Sequence, residues 1–201
     1  EFYLRVRMFY VFPRVVAPDV CEQITKDCKD NVLEKALINS YGNKSSRDDP
    51  AIRKTLVSFI TDKDNKINEL VWHFLREANK IQFNYDLEHF EAVQFAEYRE
   101  GDFFDWHQDT SGIKQSNEIR KLSLTLVLSN PENFEGGELQ FYNGDRPMED
   151  MGEITADQIK SDIKAQGTVI VFDSQDWHRV TPITKGVRHS VVCWTVGPDF
   201  K

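Results

Sequence analysis

Apolar residues recur at helical spacing in the first half of this chain and at strand-like spacing through most of the second. Ile67, Leu70, Val71, Phe74, Leu75 and Ala78 fall at i, i+3, i+4, i+7, i+8 and i+11, which predicts a strongly amphipathic helix with His73 off its apolar stripe and exposed. Another helix is predicted to start at Pro18-Asp19-Val20, with Val20, Ile24 and Cys28 at helical spacing. Strands are predicted over 3–12, 92–98, 122–128, 138–142, 168–172 and 187–196. Such short strands, separated by Gly and Pro turns, read as an antiparallel sandwich or barrel with helices packed on one side. Two connections stand out. Residues 39–50 are polar and rich in Gly, Asn, Ser and Asp, hence a loop, with a lid as one reading. Residues 143–166 are long for a hairpin connection, and Thr155 with Gln158 is spaced to cap a short helix inside it.

The chemistry-bearing residues cluster in that second half. His107-Gln108-Asp109 is followed by His178 and then by Arg188. Two imidazoles and a carboxylate can occupy one face of an iron octahedron and leave the other positions open for ligands. Residues i and i+2 of an extended segment project to one side, so His107 and Asp109 can reach a single metal. The third ligand must then come from a segment distant in sequence. Val169 to Phe172, an apolar run ending in Asp173-Ser174-Gln175-Asp176, reads as a buried strand emptying into a turn that presents His178. On the last predicted strand, even positions place Arg188, Ser190, Val192 and Trp194 on one face, toward the metal region, and His189 on the other. His73, His89 and His189 are read as structural.

The run Tyr98-Arg99-Glu100-Gly101 through His107-Gln108-Asp109, the Phe134-Glu135-Gly136-Gly137-Glu138-Leu139 turn, and the stretch from His178 to Arg188 together resemble iron(II)- and 2-oxoglutarate-dependent dioxygenases of the prolyl 4-hydroxylase branch. The likeness is closest to the bacterial and phage type and is specific over about residues 93–197. It implies a double-stranded β-helix, a jelly roll with supporting helices, forming one domain over 1–201: support over about 1–90 and a catalytic core over about 91–199. It also implies roles: His107, Asp109 and His178 as metal ligands, Arg188 gripping the far carboxylate of 2-oxoglutarate with a guanidinium fork, and Tyr98 and Ser190 adding hydrogen bonds. Iron(II) is the implied metal, 2-oxoglutarate and dioxygen the co-substrates, and ascorbate a supporting reductant. The reaction would yield succinate and carbon dioxide while hydroxylating an unactivated C–H bond. The chain departs from the family pattern at Leu128, where many relatives carry a second tyrosine, so the co-substrate pocket is expected to lack one hydrogen bond. Trp106 and Trp177, each directly before a ligand histidine, either wall the site or are packing aromatics. Gly136 and Gly137 fit a turn that needs positive φ.

Composition narrows the classes. With 25 Lys+Arg against 33 Asp+Glu, net charge −8 and pI near 5.2, the chain lacks the cationic surface of a general nucleic-acid binder, so a nucleic acid is an unlikely partner. No window approaches the roughly 18 apolar residues of a membrane span. Cys21, Cys28 and Cys193 form an odd set with no paired ladder, which suits a reducing, cytoplasmic setting; residues 1–11 lack the order of a signal peptide. The leading expectation is hydroxylation of a prolyl residue in a peptide or protein. The same chemistry on a free amino acid or other small molecule is the alternative, and a non-catalytic jelly-roll binding domain is the reading from another class.

Overall fold

A computed structural model describes residues 9–29, 33–39, 46–62, 65–110, 118–142 and 156–200. The strands that carry the architecture are β1 (Phe9–Phe12), β2 (Leu56–Ile60), β3 (Val93–Tyr98), β4 (Phe103–His107), β5 (Glu118–Val127), β6 (Leu139–Phe141), β7 (Val169–Asp173), β8 (His178–Val180) and β9 (Arg188–Pro198). The helices are α1 (Pro18–Lys29), α2 (Lys66–Ala78) and α3 (Ala156–Lys164). The larger sheet runs β1-β7-β5-β9-β3-β2, antiparallel throughout, and the smaller runs β6-β8-β4 with Arg53–Lys54 at its edge. This is a jelly-roll core, mostly β, as the family resemblance implies and in keeping with the antiparallel strands that the apolar spacing predicts.

Period-two alternation assigns the two faces of the larger sheet. Leu122, Leu124 and Leu126 of β5, Val169 and Val171 of β7, and Val191 and Cys193 of β9 pack with Cys21 and Cys28 of α1 and with Ile67, Val71, Phe74, Leu75 and Ala78 of α2. Each such fully buried aliphatic side chain stabilises the fold by roughly 1.5–3 kcal/mol. Opposite parity turns Ser123, Thr125, Val192, Trp194, Gln94, Ala96 and Tyr98 toward the smaller sheet. Helix α2 begins where the Asn65 side chain accepts the Ile67 N–H at 3.0 Å. It passes into one π turn at Asn79–Phe83, which closes at Asn84 in the left-handed region.

Several elements differ from expectation in detail. Of the strand expected over 3–12, only Phe9–Phe12 falls within the described residues. On α1, Val20 is exposed and Cys21 takes its place, because the stripe that meets the sheet is Cys21, Ile24 and Cys28. The expected loop 39–50 is bracketed by a short hairpin pairing Ile38–Asn39 with Ser46–Arg47, while 40–45 lie outside the described residues. Helix α3 forms where the capping spacing places one, although Thr155 itself is outside the described set. The strands β2 and β4 were not anticipated: β4 interrupts its apolar run with Asp105 and the site histidine, and β2 is too short to show periodicity beside the following helix.

On the helix-facing parity of β9, His189 donates to Glu97 of β3 at 3.0 Å, and Arg99 donates to the other oxygen of Glu97 at 2.7 Å. Burial lowers the His189 imidazole below its ordinary value even against the Glu97 carboxylate. Burial pushes Glu97 up, but the hydrogen bonds from His189 and Arg99 outweigh it and leave the carboxyl lowered. Both groups therefore hold fewer protons folded than unfolded, so this pair loses stabilising power as pH falls through the imidazole and carboxylate ranges, roughly 6.5 to 4. Because Glu97 opposes the lowering of His189, the comparison belongs to the carboxylate range, where the thermal midpoint of the wild type is expected to drop faster than that of Glu97→Gln; parallel profiles there would show that the carboxylate carries no such linkage.

Candidate metal centre and its cavity

His107 closes β4 and lies directly across from His178, the first residue of β8. Between this pair and the Phe104–Val180 pair, two residues of β4, Asp105 and Trp106, oppose one of β8, Arg179. This bulge turns Phe104 onto the same side as His107, and their rings stack with centroids 3.4 Å apart. Just past the strand, the backbone N–H groups of Asp109 and Thr110 donate to the Ser174 carbonyl at 2.9 and 3.2 Å, which pins the turn carrying Asp109 against the turn that leads to His178. The sequence places these residues 69 positions apart; two antiparallel sheets place them in contact.

The three side chains converge. Asp109 Oδ1 lies 3.6 Å from His107 Nε2 and Oδ2 lies 3.5 Å from His178 Nε2, and their ligand atoms all fall within 4.8 Å of one another. Each imidazole has its Nδ1 on a main-chain carbonyl, His107 on Asp105 at 2.7 Å and His178 on Asp176 at 2.9 Å. A carbonyl only accepts, so Nδ1 carries the proton and both Nε2 lone pairs point at Asp109. Ser123 donates to Asp109 Oδ2 at 2.6 Å and is itself bonded to the buried Ser174 hydroxyl at 2.9 Å. Burial would raise the Asp109 carboxyl, but His178, His107, Arg120 and the Ser123 hydroxyl draw it down to about 2, so it is ionised at neutral pH. Burial and the neighbouring His178 lower His107 to about 3, against the pull of Asp109. Two imidazole nitrogens and one carboxylate oxygen, on one side of a pocket, suit a divalent transition metal.

A cavity opens beside this cluster, walled by Phe104, Leu139, Phe172 and Val180 and by Gln94, Tyr98, Val192 and Trp194 of the larger sheet. The anticipated co-substrate residues lie together, with Tyr98 among them on the cavity wall. Arg188 pairs with Tyr98 across β9 and β3, its guanidinium lies 5.5 Å over the Tyr98 ring, and it donates to Ser190 Oγ at 3.2 Å. Tyr98 lines the cavity, while Arg188 and Ser190 are buried beside it. Arg188 is 3% exposed, burial lowers its guanidinium, and no carboxylate of the described residues is within ion-pair distance. Gly137, at φ +61, does more than turn the chain: a Cβ there would come within 2.9 Å of Arg188 Cδ. Gly136 is at φ +76.

Trp106 and Trp177 do not line the cavity: Trp106 lies under the Arg179 guanidinium at 4.6 Å and edge-on to Tyr142, and Trp177 is 48% exposed. Strand alternation explains this, since a residue adjacent to an inward histidine points outward. Leu128 continues the Leu122, Leu124, Leu126 parity into the core under the helices, so it is not a residue whose side chain could have bonded the co-substrate. His89, read as structural, shares an exposed edge with Glu88 and Glu118, their ligand atoms within 4.8 Å.

Sequence patterns did not mark Arg53, Gln94, Phe104, Arg120 or Ser123. Arg53 is carried to Phe104 by the edge pairing of Arg53–Lys54 with β4, and its guanidinium sits 4.5 Å over that ring. Arg120 donates to the Asp109 carbonyl at 3.2 Å, is clamped by Glu91 at 2.8 and 2.6 Å, and stacks over Trp194 at 4.1 Å. The alternation of β5 was the one available signal, for Ser123.

Among the described residues, no helix is long and apolar enough to cross a membrane. A PKHD-type hydroxylase of Pseudomonas putida is 32% identical over 102 residues, 49% of this chain but 40% of that protein's length. One from Picosynechococcus is 26% identical over 189 residues, covering 93% of this chain and 77% of that protein. Among solved structures, a Pseudomonas putida prolyl-4-hydroxylase is similar over 96% of this chain and 94% of its own, with TM-score 0.67 and 20% identity. A viral collagen prolyl hydroxylase from Paramecium bursaria Chlorella virus 1 covers 96% and 97%, with TM-score 0.65 and 18% identity; at such identities the likeness speaks for the fold. The family described as the 2OG-Fe(II) oxygenase superfamily matches residues 93–196, from the strand bearing Tyr98 to the strand bearing Arg188, and this chain belongs to it.

Proposed function

We propose that this chain hydroxylates an unactivated C–H bond of a prolyl residue in a peptide or protein. The observation that carries the reading is the His107-Asp109-His178 cluster with both Nε2 lone pairs aimed inward, beside a buried guanidinium that has no carboxylate partner among the described residues. Bound at that cluster, iron(II) with 2-oxoglutarate and dioxygen supplies the oxidising chemistry. The protein's part is to bind, orient and keep water out. His107, His178 and Asp109 hold the metal, and Ser123 and the two main-chain carbonyls fix their orientation. Arg188 receives the far carboxylate of 2-oxoglutarate, with Ser190 holding its guanidinium and Tyr98 adding a hydrogen bond. Leu139, Phe172 and Val180 dry the wall.

The peptide assignment draws support from the prolyl hydroxylases that share the fold, one of which is solved with a hypoxia inducible factor peptide fragment. Ascorbate as a supporting reductant and a reducing, cytoplasmic setting belong to the same proposal; Cys21, Cys28 and Cys193 are all buried and unpaired. The deciding experiment measures succinate formed from 2-oxoglutarate by anaerobically iron-loaded protein, with prolyl peptides and with free L-proline. Stimulation by peptide is expected. Iron-dependent succinate that only free L-proline or neither probe stimulates would discard the peptide substrate, and no 2-oxoglutarate turnover or binding would discard the enzyme.

A further inference from the structure

Apart from the ligand cluster, the cavity wall holds two buried polar atoms with no hydrogen-bond partner, and both are donors: Nε of Arg53 and Nε2 of Gln94. Leaving a buried donor unpaired costs about 1–3 kcal/mol, so folded chains rarely keep two beside one cavity unless a ligand completes them. The Arg53 head is held in place. It lies over Phe104, which stacks on His107, and its side chain is hydrogen-bonded to Tyr98. Gln94 sits on β3 between Val192 of β9 and Phe59 of β2. Phe59, of like parity, is 51% exposed, so this end of the wall opens to solvent. Among the described residues, the only carboxylate lining the cavity is Asp109, already committed to the metal cluster.

Resting on the prolyl reading above, we propose that Arg53 and Gln94 form an acceptor-reading subsite that donates to main-chain carbonyl oxygens of the substrate next to its target residue. The chemistry selects the substrate class. A prolyl residue within a chain brings carbonyl oxygens and no backbone N–H, which suits the two unpaired donors, Arg53 Nε and Gln94 Nε2. A free amino acid would also bring an ammonium group, and among the described residues the wall offers it no carboxylate but Asp109. Arg53 and Gln94 thus favour an internal prolyl residue over free proline.

The test is calorimetric binding to anaerobic protein loaded with iron(II) and 2-oxoglutarate, using a short end-blocked peptide with one central proline, and separately free L-proline. Gln94→Leu is expected to weaken the peptide about tenfold and Arg53→Gln by roughly tenfold to a hundredfold, as for one lost neutral or charged hydrogen bond. In each variant the loss for the peptide exceeds the loss for 2-oxoglutarate, measured on the iron(II) form. Because Arg53 also packs on Phe104, Gln94→Leu stands as the independent variant; its thermal midpoint without peptide is expected to equal or exceed the wild type's, since it removes an unpaired buried donor. Peptide affinity unchanged in both variants overturns the subsite alone, as does equal weakening of peptide and 2-oxoglutarate, which would place both residues on the co-substrate. A wild type that binds free L-proline but not the blocked peptide overturns this inference together with the prolyl reading.

Discussion

Replacing His107 or Asp109 by alanine is expected to abolish iron-dependent turnover. Each of these side chains supplies one of three donor atoms, and among the described residues the cluster contains no fourth group to take its place. Loss of groups that merely orient metal ligands commonly costs tenfold to a hundredfold in metal affinity, so loss of a ligand itself should exceed about a hundredfold. Ser123→Ala supplies the graded comparison. Its hydroxyl holds Asp109 Oδ2 at 2.6 Å, and its removal should weaken metal by roughly tenfold to a hundredfold. The measurement is iron(II) affinity by chelator competition, with succinate formation alongside. Normal turnover in His107→Ala or Asp109→Ala would sink the assignment of this centre.

Arg188 should show the second large effect, and it separates binding from folding. Arg188→Met keeps an apolar stem of similar length and removes the charged fork, so it is expected to lose about 1.5–3 kcal/mol of 2-oxoglutarate binding, roughly tenfold to a hundred-and-fiftyfold in Kd. Stability should not fall in parallel. A buried guanidinium that donates to Ser190 and has no carboxylate partner within the described residues carries a desolvation cost in the free protein, and replacing such a group with an apolar one of similar volume is often neutral or stabilising. Arg188→Lys should recover only part of the affinity, since an ammonium cannot grip a carboxylate with two parallel bonds. Titration of 2-oxoglutarate and a thermal melt on the same samples decide it. Unchanged 2-oxoglutarate affinity would put the carboxylate elsewhere, and a large loss of stability would make Arg188 structural.

Local periodicity placed α2 because its stripe repeats over three turns, and it mis-set α1 by one position because Val20 and Cys21 are both apolar and only the docked sheet chooses between them. The Leu128 comparison failed on parity: Leu122, Leu124, Leu126 and Leu128 point together into the helix-side core, a fact plain only when β5 is seen between its neighbours. For Trp106 and Trp177, adjacency to a histidine left two readings, and alternation decides against the wall, because adjacent strand residues face opposite ways.

By itself, the sequence determined most of the elements, the mostly β class and which residues are the metal and co-substrate candidates, because i, i+2 spacing, strand parity and the runs around His107, His178 and Arg188 are local properties of the chain. Only the tertiary structure decided what surrounds them. The β4 bulge that stacks Phe104 on His107, the Ser123 hydroxyl on Asp109, and Arg53 and Gln94 brought to one cavity wall arise from pairing between strands far apart in sequence. Such register is set by which faces bury together and which turns close, a property of the whole sheet that no single segment encodes.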